Sequence, residues 1–184
     1  IILDDPRHIY LDKISIEDCS FDQIFSTDFR VAYRALNYLI VQKAEDIWDA
    51  FLPYKKRLEL DYGAIYFAMI LFRMVSGWND SAMEYIKDLA FNCLSDYWPN
   101  NMKFRPVAII LLMSLDPDIY INSLDKWLDQ AYNPYWVTRY AVLLGSQLKP
   151  NHAISLPIRN KLSAITSDSN RFVRLKALTI QGDS

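Results

Sequence analysis

The feature that most constrains the fold of this chain is an apolar residue followed four positions later by alanine, which recurs along the 184 residues. Positions i and i+4 lie on the same face of an α-helix, and an alanine there lets a neighbouring helix approach closely. Successive alanines are separated by 33, 40, 33 and 36 residues, a period typical of stacked helical repeats. The five copies are Val31/Ala35, Ala64/Ala68, Phe104/Ala108, Val137/Ala141 and Val173/Ala177.

Another amphipathic segment precedes each copy, so the sequence predicts about five antiparallel helix pairs. The preceding segments are 16–25, 44–58, 81–94, 118–131 and 153–165. Capping residues such as Asp168-Ser169-Asn170 separate the segments. Pro53 and Pro157 fall inside two preceding helices, where proline should bend the axis. The pattern therefore predicts an all-α chain.

The last copy carries more than the spacing, since Asp168 is followed by Val173-Arg174, then by Ala177 and Gly182. This order resembles the HEAT-repeat pattern of a turn aspartate, Val-Arg, alanine and a closing glycine. The resemblance to the HEAT and armadillo family implies a right-handed α-solenoid of about five helix pairs. It also implies that Arg174 bonds the turn aspartate of an adjacent repeat.

The other copies keep less of that pattern. The first and fourth have Ala32 and Thr138 where the family has the arginine, and the second and third keep only the apolar spacing. The alternative is a non-repetitive helical bundle in which the Val-x-x-x-Ala steps are coincidental.

We expect a single repeat domain over 1–184, with an N-terminal extension at 1–14 and repeats near 15–42, 44–76, 80–115, 117–148 and 151–184. Because the chain begins at Ile1 without Met, we expect it to be a domain cut from a longer polypeptide.

Composition excludes several other classes of protein. Hydrophobic residues make up 52% of the chain and there are only four glycines, which argues against a disordered or turn-rich β chain. The apolar runs at 64–72 and 107–115 are about half as long as the roughly 20 residues that span a bilayer. Cys19 and Cys93 match no metal or redox spacing, so we expect reduced, buried thiols in a cytoplasmic protein.

Catalytic signatures are lacking as well. His8 and His152 have no Cys, Asp or Glu at a metal-binding or nucleophile spacing, and four glycines cannot build a phosphate-binding loop. These observations predict that the chain is not an enzyme and needs neither a cofactor nor a metal.

Two surfaces are candidates for binding a partner. The first is an apolar groove on the second helices of the middle repeats, which would receive a partner helix unless neighbouring helices cover it. Its residues are Tyr66, Phe67, Ile70, Val107 and Ile110.

The second candidate surface is basic and aromatic. Residues 133–184 carry seven bases and two acids, a net charge of +5, against −7 for 1–132 with 13 bases and 20 acids. Basic residues interleaved with aromatics can hold a nucleic-acid backbone and stack its bases. This set comprises Arg34, Trp136, Arg139, Tyr140, Arg171 and Lys176.

Together these features predict a non-catalytic binding or scaffold module that presents a helical-repeat surface to a protein partner or to the rest of a larger parent chain. The alternative is an accessory domain of a larger nucleic-acid enzyme that contacts RNA or DNA through the basic C-terminal end. An accessory domain of this kind would be similar to the helical-repeat extensions found on abortive-infection reverse transcriptases of bacteria.

Overall fold

The computed structural model describes residues 19–94, 101–131, 133–147, 160–161 and 164–182, and in this part of the chain the regular structure is entirely helical. The all-α prediction is therefore confirmed for these ranges. The chain divides into two compact units, Ile1–Asn79 and Asp80–Ser184. No helix within the described ranges combines the length and apolarity that a bilayer crossing requires.

The described residues of the first unit, 19–79, contain four α-helices. They are α1 (Phe29–Leu39), α2 (Ala44–Phe51), α3 (Lys55–Leu58) and α4 (Tyr62–Met74), with 3₁₀ turns at Phe21–Phe25 and Leu52–Tyr54. The second of these turns contains Pro53 and interrupts the predicted helix 44–58, as expected for a proline inside a helix. Pro157 lies outside the described residues.

A series of aromatic contacts forms the core of the first unit. The ring of Phe51 lies 5.3 Å from that of Phe21 and 5.7 Å from that of Phe72. Trp78 packs edge-on to Phe72, and its indole N–H donates to the Phe72 carbonyl over 3.0 Å. Gly77, at φ +91°, lets the chain turn back so that Trp78 reaches this core.

Five further helices of the second unit have both ends in the described ranges, and residues 160–161 and 164–165 are helical as well. The five are α5 (Asp80–Leu94), α6 (Asn101–Leu115), α7 (Pro117–Leu128), α8 (Trp136–Gln147) and α9 (Arg171–Gly182). The helix α6 packs against α5, α7 and α8, and α8 in turn packs against α7 and α9. A Cβ atom built on Gly145 of α8 would lie 2.5 Å from the Met113 sulfur of α6, so these two helices are in close contact.

The alanine of each predicted copy is buried, which agrees with its expected role at a helix contact. Ala35, Ala68, Ala108 and Ala177 are fully buried, and Ala141 is 3% exposed. The apolar residue four positions before each alanine is less consistently buried, since Val31 and Val137 are only half-buried.

In the fourth copy, the fully buried positions are instead Thr138 and Val142, one residue further along the chain. The predicted register of that copy was therefore displaced by one residue.

Candidate functional site: the aromatic face of α8 and α9

Three aromatic side chains meet where α8 and α9 begin, and we call them the α8–α9 aromatic face. Trp136 and Phe172 stack with their ring centroids 5.4 Å apart and their planes at 28°. Tyr140, one turn after Trp136, packs edge-on to the indole at 6.1 Å. Phe172 is 58% exposed although a phenyl ring gains from burial, so the face offers apolar ring surface to a ligand.

A buried ion pair fixes the start of α9 relative to α8. Arg139 of α8 donates from Nε to Asp168 Oδ2 over 2.7 Å and from Nη2 to Asp168 Oδ1 over 2.8 Å. The Asp168 carboxylate also accepts the Asn170 backbone N–H, and Asn170 Oδ1 in turn caps α9 by accepting the Phe172 N–H. This chain of bonds holds Phe172 where it meets Trp136.

The carboxyl group of Asp168 stays ionised within this network. Burial alone would raise its pKa, but the bond from Arg139, the bond from the Asn170 N–H and the charges of Arg139 and Arg174 outweigh burial and lower it. The pair therefore contributes no free charge to the surface above it.

The two helices that carry the aromatic face contain no acidic residue. Arg171 is exposed directly beside Phe172, and Lys176 lies half-buried one turn later on α9. Ring surface and positive charge thus occur together, an arrangement suited to a ligand that carries both a conjugated ring system and carboxylates.

The structure brings together only part of the predicted basic and aromatic set. Trp136, Tyr140 and Arg171 belong to the aromatic face or border it, with Lys176 one turn away. Arg139 is only 2% exposed, and its guanidinium is occupied by Asp168 and the Asn133 carbonyl, so it supports the face from inside. Arg34 lies in the first unit, half-buried, and among the described residues its buried Nε atom has no hydrogen-bond acceptor.

The predicted apolar groove is divided between the two units. Tyr66, Phe67 and Ile70 lie on α4 in the first unit, whereas Val107 and Ile110 lie on α6 in the second. Phe67 is buried and the other four are half-buried, so none of the five side chains is fully open to solvent. On α4, burial also raises the pKa of Tyr66.

Within the described residues no bond from Arg174 to the turn aspartate of an adjacent repeat is seen, so this role stays a prediction. Arg174 donates from Nη1 to the backbone carbonyls of Asp168 and Ser169 in the turn before its own helix. The Asp168 carboxylate is bound by Arg139, from the helix before that turn. The bond between Arg139 and Asp168 was not predicted from the sequence because the fourth copy was aligned on Val137, which put Thr138 at the arginine position.

A second aromatic cluster was not predicted. In the first unit, Phe29 stacks on Tyr33 at 5.9 Å and contacts Phe67 at 5.4 Å, with half of its surface exposed. A single exposed phenylalanine carries no periodic signal, so Phe29 could be found only by knowing which helices are neighbours.

Neither aromatic cluster contains an evident catalytic group. Within the described ranges, no three His, Cys, Asp or Glu side chains are grouped as a metal site would require. What the α8–α9 face can do chemically is bind and orient a flat, negatively charged molecule.

Comparison with known proteins gives one informative match. No protein-family model matches the chain, and no solved structure does. The chain is 26% identical over 158 residues to the bilin biosynthesis protein CpeY of Synechococcus sp. (strain WH8020). The match covers 84% of this chain and 37% of that protein, so the chain spans little more than a third of its relative's length.

This similarity contradicts the predicted function. A relative named for bilin biosynthesis overturns the non-catalytic scaffold, the accessory domain of a nucleic-acid enzyme and the prediction that the chain is not an enzyme. The error has a physical cause: periodicity in the sequence identifies the buried faces of helices, but it does not indicate what their exposed faces bind. A surface of arginine and aromatic rings also suits a carboxylate-bearing conjugated molecule as well as it suits nucleic acid.

Proposed function

We propose that this chain acts in bilin biosynthesis, as part of an enzyme that binds an open-chain tetrapyrrole on the α8–α9 aromatic face. The observation that carries the proposal is the similarity to the bilin biosynthesis protein CpeY over 84% of the chain. The stacked pair of Trp136 and Phe172 supports it by offering a site that suits this ligand.

A bilin is a linear chain of conjugated pyrrole rings that carries two propionate groups. Stacking of its rings on Trp136 and Phe172 would contribute about 0.5–1.5 kcal/mol for each aromatic pair beyond the area buried. The exposed guanidinium of Arg171 is placed to pair with a propionate, in a bond that is charge-assisted and directional. Aromatic surface therefore provides affinity, and Arg171 orients the ligand along α9.

The test is a titration of the purified chain with biliverdin, followed by the change in its visible absorption. Trp136→Ala combined with Phe172→Ala should weaken binding by about tenfold or more, since both stacking surfaces are lost. Phe91→Ala is the matched control, because Phe91 is also an exposed aromatic of the second unit, on α5. Equal affinity of the double variant and the wild type would place the bilin elsewhere.

The role of Arg171 has a separate test. Arg171→Ala should weaken biliverdin binding by a few-fold, because one charge-assisted bond at an exposed site is lost. Biliverdin dimethyl ester, which lacks the carboxylates, should bind wild type and Arg171→Ala equally. A difference that persists with the ester would assign Arg171 a role other than pairing with a propionate.

We further propose that the helices form a HEAT-like α-solenoid of about five pairs in one domain over 1–184. Support comes from two bonds in the second unit that join residues 28 or 29 apart, Arg105 to Asn133 and Arg139 to Asp168, whose arginines lie 34 residues apart on α6 and α8. Bonds at a constant separation are typical of stacked repeats, in which each unit contacts its neighbour. A protein partner and a cytoplasmic location stay predictions.

A further inference from the structure

Aromatic rings and arginines also occur together in the first unit, where α1 and α4 pack against each other. We call this surface the α1–α4 face, and it consists of Phe29, Arg30, Tyr33 and Arg34 on α1 with Tyr66 and Phe67 on α4. Phe29 stacks on Tyr33 with the two ring planes at 12°, and it also contacts Phe67. Tyr66 packs edge-on to Phe67 at 5.8 Å. Because Phe29 is 50% exposed and Tyr66 is half-buried, ring surface on both helices is open to a ligand.

Two arginines lie beside these rings on α1. Arg30 and Arg34 are four residues apart, so they lie on one side of the helix and about 6 Å apart along its axis. Phe29 and Tyr33 have the same spacing, about 100° around the helix from the arginines. A row of rings and a row of guanidinium groups are therefore adjacent on one helix.

The guanidinium group of Arg34 has an unused donor. Its Nε atom is buried, and no described residue accepts a hydrogen bond from it. A buried donor without an acceptor is unfavourable, so an anion that binds there would remove this cost. A carboxylate is a suitable anion, because it forms charge-assisted bonds with a guanidinium group.

Neither helix supplies a carboxylate of its own, since α1 and α4 contain no Asp or Glu. The aspartates that precede the two helices act as caps. Asp28 Oδ1 accepts the Arg30 backbone N–H over 2.9 Å, and Asp61 Oδ1 accepts the Ala64 backbone N–H over 3.0 Å. The positive charge beside the rings is thus not neutralised by either helix.

We propose that the α1–α4 face is a second bilin-binding site, separate from the α8–α9 aromatic face. The conjugated rings would lie on Phe29 and Tyr66, and the two propionates would pair with Arg30 and Arg34, one on each. Rings beside two guanidinium groups one turn apart suit a flat molecule with two carboxylates. The choice of a bilin as that molecule rests on the proposed function.

Counting the bound ligands tests the proposal. Equilibrium dialysis of the full chain against biliverdin should give two molecules per chain. Phe29→Ala combined with Arg34→Ala should leave one, and Trp136→Ala combined with Phe172→Ala should also leave one. Lys56→Ala is the matched control, because it removes an exposed positive charge from α3 of the first unit and should leave two.

The possible counts separate this proposal from the proposed function. One bilin that is lost only when Trp136 and Phe172 are changed would overturn the second site and leave the first in place. One bilin that is lost only when Phe29 and Arg34 are changed would support the α1–α4 face and contradict binding at α8–α9. Two bilins that both persist in the Phe29 and Arg34 variant would overturn the second site, and no binding at all would overturn both proposals.

The arginine pair has its own test in the chain that already carries Trp136→Ala and Phe172→Ala. Adding Arg30→Ala and Arg34→Ala should weaken biliverdin binding by about tenfold or more, because two charge-assisted bonds are lost. Biliverdin dimethyl ester, which has no carboxylate, should bind equally with and without the pair. A loss of the same size with the ester would contradict pairing of these arginines with propionates.

The wild-type chain gives a readout that needs no substitution. In ¹H–¹⁵N spectra, the backbone amides of Arg30 and Arg34 should shift as biliverdin is added, whereas that of Lys56 should not. Unmoved Arg30 and Arg34 amides at saturating biliverdin would overturn the proposal, whatever the variants do.

Discussion

At the scale of single residues, the bond between Arg139 and Asp168 connects the interior of the second unit to its surface. Both side chains are almost fully buried, at 2% and 3% exposure, and each satisfies the other's charge. Their position beneath Trp136 and Phe172 means that a structural pair supports the candidate site. Arg139, one of the residues predicted to contact nucleic acid, is thus bound to Asp168 inside the unit.

Removing one partner of this pair should be costly. Arg139→Ala leaves the Asp168 carboxylate buried without its cation and should lower the free energy of unfolding by about 3–5 kcal/mol. Arg174→Ala loses bonds to backbone carbonyls at a half-buried site and should cost only about 1–2 kcal/mol. Urea denaturation of both variants checks the order, and an equal cost would contradict the assignment of the carboxylate to Arg139.

The pair should also make stability depend on pH. The pKa of Asp168 is lowered in the folded chain from its ordinary 3.8, so its contribution is present above that value and is lost as the pH falls through the folded pKa. The stability difference between wild type and Asp168→Asn should therefore be large at pH 7 and shrink below about pH 3.8. A difference that is constant with pH would argue against an ionised Asp168.

The two cysteines should differ in reactivity. Cys93 is fully buried, and burial raises the pKa of its thiol to about 12, whereas Cys19 is half-buried. A thiol reagent at pH 8 should therefore modify Cys19 in the folded chain and Cys93 only after unfolding. Mass spectrometry of the labelled wild type, with Cys93→Ala as control, gives the site directly.

At the scale of the helices, the sequence was informative wherever periodicity reflects burial. The five predicted alanines all lie on helices, and Pro53, predicted to bend a helix over 44–58, lies in the 3₁₀ turn that divides this segment after Phe51. The spacing could not tell which of two adjacent apolar residues faces the core, so Val137 was chosen over Thr138. It also could not reveal bonds such as that of Arg139 to Asp168, because these depend on which helices pack together.

The contact between α6 and α8 depends on the small size of Gly145. Gly145→Leu should destabilise the second unit by about 1–3 kcal/mol, because the new side chain would occupy the space of the Met113 thioether. Combining it with Met113→Ala should recover part of that loss, so the two changes should be less than additive by urea denaturation. Strict additivity would mean that the two side chains do not compete for space.

At the scale of the whole molecule, the buried faces of the helices could be predicted from the sequence, whereas a binding site on their exposed faces could not. Alanine periodicity predicted the helices, but it gave no indication of a binding site, since an exposed ring such as Phe172 is not part of a packed helix face. The match to CpeY is the basis for proposing a role in bilin biosynthesis, and the second unit has an aromatic face that suits a bilin. The proposed function therefore rests on residues that the repeat pattern does not constrain.

The most direct test of the account is a ¹H–¹⁵N NMR titration of the full chain with biliverdin. The indole N–H resonance of Trp136, assigned by its loss in Trp136→Phe, should shift together with the amides of Arg171 and Phe172. The indole of Trp78, bonded to the Phe72 carbonyl in the first unit, should stay in place. A bilin that binds without moving the Trp136 signal, or no binding at all, would contradict the assignment of the α8–α9 aromatic face.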